Sequence, residues 1–121
     1  MSINYFSDDE LRCSCGCGEL HFDDEVLERL NEIREDFGYP MVVTSGYRCN
    51  KHPLEKIKIR PGAHTTGKAV DIAVSFDSAH RLLTIALAHG CPRVGVNQKG
   101  TRRFIHLDWA ENYPSPTVWS Y

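Results

Sequence analysis

Apolar residues recur at helical spacing in two stretches of the chain. The first stretch predicts an amphipathic helix over residues 23–37, with acidic residues in its first turn and Gly38 after its end. The second predicts a helix from about residue 78 to residue 89, ended by Gly90. The apolar positions that define both helices are Val26, Leu30, Ile33, Phe37, Leu82, Leu83, Ala86 and Leu87. Each helix therefore has one apolar face that needs a partner.

Four shorter stretches are rich in β-branched and apolar residues, as is typical of strands. They cover residues 41–44, 68–74, 94–96 and 103–109. A polar, glycine-containing segment over residues 97–101 predicts a hairpin turn between the last two strands. The remaining parts, residues 1–22, 49–66 and the tail after residue 109, predict irregular structure. The order of elements indicates a small α+β domain, an antiparallel sheet with helices packed on one side.

The composition is that of one ordinary globular domain. The chain has 121 residues, of which 41% are hydrophobic, and a net charge of −2, so we expect a single domain over residues 1–121. It lacks the strongly basic balance of a nucleic-acid-binding protein and the long apolar run of a membrane helix. The start, MSINYFSDDE, has neither the basic nor the apolar part of a signal peptide. We expect a monomer, made in the cytoplasm, without nucleic-acid or membrane partners.

The five cysteines include a cluster near the N-terminus, Cys13, Cys15 and Cys17. An odd number of cysteines in an unsecreted chain argues against a disulfide framework. Two interpretations of the C-x-C-G-C cluster stay open. It binds a metal, or it consists of small buried thiols in a tight glycine-containing turn. The usual spacing of structural zinc sites, C-x2-C or longer, favours the second.

The segment from His64 to Asp71 carries the first candidate metal ligands. Asp71 follows His64 by seven residues, and Gly67 between them allows a tight turn. Asp71 lies among apolar residues of a predicted strand, where a carboxylate is costly unless it is paired or binds a cation. Asp71 is therefore either a metal ligand or an acceptor of backbone N–H groups in the adjacent loop.

His106 is the third candidate ligand and lies in the last predicted strand. Strand alternation places it on one face with Phe104 and Asp108. It is either a ligand or a histidine on a solvated face. Two histidines and one aspartate form a suitable set for Zn²⁺, and they leave a fourth coordination position open for water. A zinc ion held in this way supports hydrolysis.

Three short motifs carry a resemblance to a known family. Residues 45–48 are S-G-Y-R, residues 64–71 are H-x-x-G-x-A-x-D, and residues 106–108 are H-x-D. Together they resemble the zinc D-Ala-D-Ala carboxypeptidase family of metallopeptidases, which includes VanX-type dipeptidases and phage L-alanyl-D-glutamate endolysins. The opening F-S-D-D-E-L-R-C-S-C-G-C-G looks like short phage and prophage members. The resemblance covers about residues 5–109 and implies a metal-binding core similar to that of the hedgehog signalling domain.

The resemblance implies a role for each matching residue. The ligands of one catalytic Zn²⁺ match His64, Asp71 and His106. Arg48 matches an arginine that contacts substrate or stabilises charge developing at the carbonyl, and a guanidinium suits both tasks. A structural ion pair is the alternative for Arg48. Ser45 and Tyr47, in the same motif, are candidates for substrate binding or for shaping the loop.

Two positions depart from the family pattern. Many members have a serine two residues before the first ligand, where this chain has Gly62, so a substrate-binding hydroxyl is missing. Several members have an acid three residues before the last histidine as general base. This chain has Arg103 there, which does not accept a proton at neutral pH.

Three alternatives remain for the general base. Asp108 shares a strand face with His106 and is the candidate catalytic carboxylate. Asp108 is otherwise the group that orients His106. The third alternative is a residue distant in sequence, such as His52 or Glu55.

The resemblance implies a zinc metallopeptidase that hydrolyses stem peptides of bacterial peptidoglycan, as a D,D-carboxypeptidase or an endolysin-type endopeptidase. Such an enzyme, made without a signal peptide, acts on the cell wall after release by another protein or as a virion component. The alternative is a non-catalytic zinc-containing binding or phage assembly module on the same fold. Arg103 at the position of the acid is the feature that favours this alternative.

Overall fold

The computed structural model describes residues 3–49, 51–52 and 62–121. In chain order the elements are α1 (Asp8–Leu11), α2 (Asp24–Phe37), β1 (Val42–Ser45), a 3₁₀ turn (Ala63–Thr66), β2 (Ala69–Ala73), α3 (Phe76–Ala88), β3 (Arg93–Asn97), β4 (Phe104–Asp108) and β5 (Thr117–Ser120). Glu55, one of the alternative bases, lies outside the described residues. Among the helices in the described ranges, none has the length and apolar character needed to span a membrane.

The described strands form one five-stranded sheet in the order β1-β2-β4-β3-β5. The pairs β1–β2, β2–β4 and β4–β3 are antiparallel, whereas β5 is parallel to β3. The β3–β4 hairpin is the one predicted from the turn residues between them. The sheet is thus mostly antiparallel, as the sequence pattern predicts, with one parallel strand added at its edge.

Helices α2 and α3 pack on one face of the sheet and bury the main core. The helices contribute Leu30, Ile33, Phe37, Leu82 and Ala86. The sheet contributes Val70, Ile72, Val94, Ile105 and Leu107. Because side chains alternate along a strand, the residues between these core positions face away from the helices. The small α+β fold with helices on one side is confirmed, and the opposite face of the sheet carries Asp71, His106 and Asp108.

The helix boundaries follow capping chemistry. Asp23 caps α2 by accepting from the Val26 N–H at 2.9 Å, and Gly38 ends the helix with φ +82°. Helix α3 begins at Phe76, two residues earlier than predicted, because Ser75 is the N-cap. The Ser78 hydroxyl accepts from the Ser75 N–H at 3.0 Å, so Ser78 closes a capping box inside the helix and does not start it.

Two parts predicted as irregular are regular. Ser7 and Glu10 form a capping box at α1, with the Ser7 N–H donating to the Glu10 carboxylate at 3.1 Å. The tail forms β5, so the prediction of an irregular tail is wrong. Parallel pairing with β3 gives β5 its hydrogen bonds, and such a long-range partner leaves little trace in a four-residue sequence pattern.

Candidate metal centre

One row of residues crosses the sheet on the face away from the helices. Ser45 of β1 pairs with Asp71 of β2, and Asp71 pairs with His106 of β4. His106 pairs with Gly95 of β3, which in turn pairs with Trp119 of β5. Residues that pair across strands lie about 5 Å apart, so the register alone brings Asp71 and His106 into contact.

His64 joins this row from the 3₁₀ turn that precedes β2. Gly67 ends the turn in the left-handed region, with φ +73°, and an added Cβ there would lie 1.9 Å from the carbonyl oxygen of His21. Gly67 is therefore required by conformation and by the close approach of the chain. The His64 Nδ1 lies 2.7 Å from the Gly46 carbonyl oxygen, to which it donates. This bond fixes the imidazole and leaves Nε2 as an acceptor.

His64, Asp71 and His106 converge on one point, with possible ligand atoms that all lie within 4.8 Å of one another. Asp71 Oδ1 lies 3.3 Å from His64 Nε2 and 2.9 Å from His106 Nδ1. In a tetrahedral zinc site, bonds of about 2.0–2.1 Å place neighbouring N and O ligands roughly 3.3 Å apart. The residues that the sequence nominates as ligands therefore have a geometry that fits Zn²⁺.

Electron pairs converge in this centre, which makes it a site for positive charge. The His106 Nε2 lies 2.5 Å from the Asp108 carboxylate and donates to it, so Nδ1 presents a lone pair toward Asp71. His64 likewise presents Nε2. All three residues are buried, with His64 and His106 4% exposed. Buried acceptors that face one another are unfavourable unless a cation lies between them.

The pKa values of the centre agree with this charge preference. Burial alone would raise the pKa of Asp71, but the His106 and His64 rings outweigh it and lower that pKa, because they hydrogen-bond to Asp71 when the centre holds a proton in place of a metal ion. Burial opposes charge on His106, yet its bonds to Asp108 and Asp71 raise the His106 pKa above the usual histidine value. The carboxylate is thus ionised and the pocket attracts a proton, which a metal ion displaces when it binds.

Asp108 lies behind His106 and has both carboxylate oxygens occupied. Oδ2 accepts from His106 Nε2, while Oδ1 accepts from Arg93 Nε at 2.7 Å and from the Ala110 N–H at 3.1 Å. Asp108 is 0% exposed. A carboxylate that holds the far nitrogen of a metal-binding histidine fixes its ring and its tautomer. This geometry favours the orienting role among the alternatives for Asp108.

The Asp108→Asn variant is expected to weaken zinc binding about 10–100-fold, because His106 loses the anion that orients it. It also leaves the Arg93 guanidinium without its buried counter-ion, and breaking such a pair costs about 3–5 kcal/mol of unfolding free energy. A zinc titration against a competing chelator and a denaturant titration measure the two effects.

Glu111→Gln is the matched control, since Glu111 is an exposed carboxylate paired with Lys68 at the surface. It should leave both quantities near wild type. If Asp108→Asn binds zinc as tightly as wild type yet loses hydrolysis, Asp108 is the catalytic base and the orienting role is wrong.

Arg48 reaches the centre from the loop after β1. Its Nη2 lies 3.6 Å from Asp71 Oδ2, its Nε donates to Ser45 Oγ at 3.0 Å, and its backbone N–H donates to the His64 carbonyl at 3.1 Å. Ser45 therefore holds the guanidinium in place. Tyr47 packs its ring edge against His21, 5.1 Å between centroids. Arg48 and Ser45 are brought to the centre, whereas Tyr47 packs against the segment before α2.

The sequence interpretation did not single out Arg93 or Trp119, both of which line this face. Arg93 bonds Asp108 and donates to the Pro114 carbonyl at 2.6 Å. The Trp119 ring lies 5.2 Å from the His106 ring, and a Cβ on Gly95 would lie 2.7 Å from the indole. Gly95 thus makes room for Trp119. In the sequence, the polar residue at the start of β3 is the one signal that points to Arg93. Trp119 carries no such signal, because its strand β5 is not predicted from the sequence pattern.

The remaining candidates lie elsewhere in the structure. Arg103, at the position of the family acid, donates to the Gly100 carbonyl at 3.1 Å and stacks on Phe76 with its Cζ 4.6 Å from the ring centroid. His52 lies 3.2 Å from the Ser14 hydroxyl, beside the N-terminal cysteines. Arg103 is therefore engaged at the turn of the β3–β4 hairpin.

Comparison with known families agrees with the motifs and the geometry. A family model described as Peptidase M15 matches residues 4–108 of the chain. That span runs from before α1 to the end of β4 and includes every candidate metal ligand, whereas β5 follows it. Searches of curated proteins and of solved structures each found no match.

Proposed function

The chain belongs to the peptidase M15 family, and on this basis we propose that it is a zinc-dependent peptidase that hydrolyses the stem peptides of bacterial peptidoglycan. The observation that carries the proposal is the convergence of His64, Asp71 and His106 on one point. Three protein ligands leave the fourth position of a tetrahedral ion open, as catalytic zinc requires. A closed structural site would use four.

The side chains around the centre divide the work of hydrolysis. When bound, Zn²⁺ polarises a peptide carbonyl and activates water. Asp108 keeps the His106 ring in the tautomer that offers Nδ1, because its carboxylate holds the proton on Nε2. Arg48 presents a guanidinium beside Asp71, where it binds a substrate carboxylate or stabilises an oxyanion.

Aromatic rings lie beside His106 on the same face of the sheet. Trp119 lies against His106, and Tyr121 packs on Phe104 at 5.1 Å between centroids and on Trp119 at 6.5 Å. Stem peptides contain alanine residues, and flat rings provide apolar contact area for such side chains. We place the substrate between this aromatic edge and Arg48.

A second candidate function is a non-catalytic zinc-binding module, and one observation favours it. Arg103 occupies the position of the family acid and is engaged with Gly100 and Phe76. Asp108 is fully buried with both oxygens bonded, so it is a poor proton acceptor for a water molecule in the centre. Such a module would keep its zinc and bind cell-wall peptide without cleaving it.

Digestion of purified peptidoglycan separates the two functions. The full chain with zinc should release fragments that mass spectrometry assigns to one bond, with free D-Ala for a carboxypeptidase or new amino termini for an endopeptidase. A chelator should stop release, and added Zn²⁺ should restore it. Zinc-loaded protein that binds peptidoglycan and releases nothing would establish the binding module and overturn the peptidase proposal.

A further inference from the structure

A second group of metal-ligating side chains lies near the N-terminus, apart from the His–Asp centre. It consists of Cys13, Cys15, Cys17 and Cys49, whose sulfur atoms all lie within 4.8 Å of one another. Cys49 is distant in sequence from the other members and comes directly after Arg48. The fold therefore completes a four-cysteine set, the C-x-C-G-C cluster being only part of it.

Three of the sulfur–sulfur distances lie a few tenths of an ångström below those of a tetrahedral metal site, and the others lie within 4.8 Å. The Cys13–Cys15, Cys13–Cys49 and Cys15–Cys49 pairs are 3.5, 3.6 and 3.3 Å apart. Zinc–sulfur bonds of about 2.3 Å place tetrahedral thiolates roughly 3.8 Å apart. The observed separations are much longer than a disulfide bond of about 2.05 Å, and all the cysteines are free.

The backbone around the cluster is arranged to hold thiolates. The Cys49 N–H donates to Cys13 Sγ at 3.3 Å, and the Glu19 N–H donates to Cys17 Sγ at 3.4 Å. A hydrogen bond from the Cys13 N–H to the Glu19 carbonyl at 2.9 Å closes the loop over residues 13–19. N–H donors that point at sulfur stabilise its negative charge, as outer groups do around metal sites.

Burial of the four thiols argues against a role as core filler. Cys13 and Cys49 are buried, but Cys15 is half-buried and Cys17 is exposed. The interpretation of the cluster as small buried thiols therefore holds for Cys13 and fails for Cys17. Burial of an apolar side chain therefore gives no reason for a cysteine at position 17, whereas ligation of a shared ion does.

We propose that Cys13, Cys15, Cys17 and Cys49 bind a structural Zn²⁺. Four thiols bind the ion as thiolates and release their protons to solvent, so no oxidant or reductant takes part. All four tetrahedral positions are filled by protein, which leaves no position for substrate. This site is closed, in contrast to the open three-ligand centre.

The second ion would connect the N-terminal segment to the loop that carries Arg48. The Tyr47 N–H already donates to the Leu11 carbonyl at 2.9 Å, and the Arg48 N–H donates to the His64 carbonyl at 3.1 Å. An ion at Cys49 anchors the same loop from its other end. The role of this zinc is therefore to fix the position of Arg48 relative to the catalytic centre.

Metal content of the full chain tests the proposal directly. Elemental analysis of wild type should find about two zinc ions per chain, one for each complete ligand set. Cys17→Ser and Cys49→Ser should each lose about one ion. Cys91→Ser, which alters a buried thiol outside the cluster, should keep the wild-type zinc content. His64→Ala should lose only the ion of the catalytic centre, so failure of this proposal and failure of the peptidase proposal are distinguishable.

Cobalt substitution provides a readout that does not depend on activity. With Co²⁺ in place of zinc, wild type and His64→Ala should show the near-ultraviolet thiolate-to-cobalt charge-transfer absorption, and Cys17→Ser should lose most of it. If Cys49→Ser does not fold, alkylation of wild type gives the same information, since bound zinc should protect cysteines that a chelator exposes. One zinc per wild-type chain, iron instead of zinc, or a disulfide within the cluster would overturn the proposal.

Discussion

Alanine at His64, Asp71 or His106 is expected to release the catalytic zinc and to abolish hydrolysis. Each replacement removes one of the three proposed ligands, whose candidate ligand atoms lie within 4.8 Å of one another. The loss of zinc affinity should exceed the ~10–100-fold typical of changes in outer-shell partners. His64→Ala is the clearest variant, because His64 lies in the 3₁₀ turn and leaves the strand pairing intact.

His80→Ala is the matched control for this experiment. His80 is an exposed histidine on α3, so its removal should change neither bound zinc nor turnover. Elemental analysis gives the zinc content, and release of peptidoglycan fragments gives the rate. A His64→Ala protein with wild-type zinc content and wild-type turnover would show that the metal lies elsewhere and that the assigned centre is wrong.

Most of the fold could be predicted because its elements carry local signals. Helix α2 has an N-cap at Asp23, apolar side chains spaced by three and four residues, and a left-handed Gly38 at its end. The β3–β4 hairpin has turn residues between two β-rich segments. Each of these signals is contained within fifteen or so residues, the range over which sequence patterns report structure.

The parts that could not be predicted depend on partners distant in sequence. β5 is a four-residue strand whose pairing with β3 crosses more than twenty positions, and its proline-rich approach predicts a loop. Without β5, nothing indicates that Trp119 reaches His106. The Cys49 thiol is a similar case, because only the folded chain brings it to Cys13 and Cys15.

In the candidate site, too, the residues marked by local patterns could be predicted and the contacts between distant residues could not. His64, Asp71 and His106 could be nominated because motif spacing and strand alternation place them together, and the structure brings their ligand atoms within contact. The role of Asp108 could not be decided from the alternation of side chains along β4. Alternation shows which face of the sheet Asp108 lies on, but not which groups hydrogen-bond to its carboxylate. Arg93 and the Ala110 N–H occupy one of its oxygens and His106 the other.

Arg48→Ala is expected to lower kcat about 10²–10³-fold if the guanidinium stabilises an oxyanion, because that is the typical loss when one such donor is removed. Zinc content should remain at the wild-type value, since Arg48 contacts the carboxylate of Asp71 and supplies no metal ligand itself. A guanidinium that instead binds a substrate carboxylate predicts a rise in KM with a smaller change in kcat. Steady-state kinetics on a stem-peptide substrate distinguishes these results.

Arg48→Lys and Arg29→Ala complete this comparison. Lysine keeps the charge but lacks the fork of donors that reaches Ser45 and Asp71 together, so it should restore only part of the rate. Arg29→Ala removes an exposed arginine of α2 that pairs with Glu25, and it should leave kcat and KM unchanged. A structural ion pair predicts the opposite pattern for Arg48→Ala, a lower unfolding midpoint with wild-type kinetics. That result would leave the zinc centre without its assigned charge-stabilising partner.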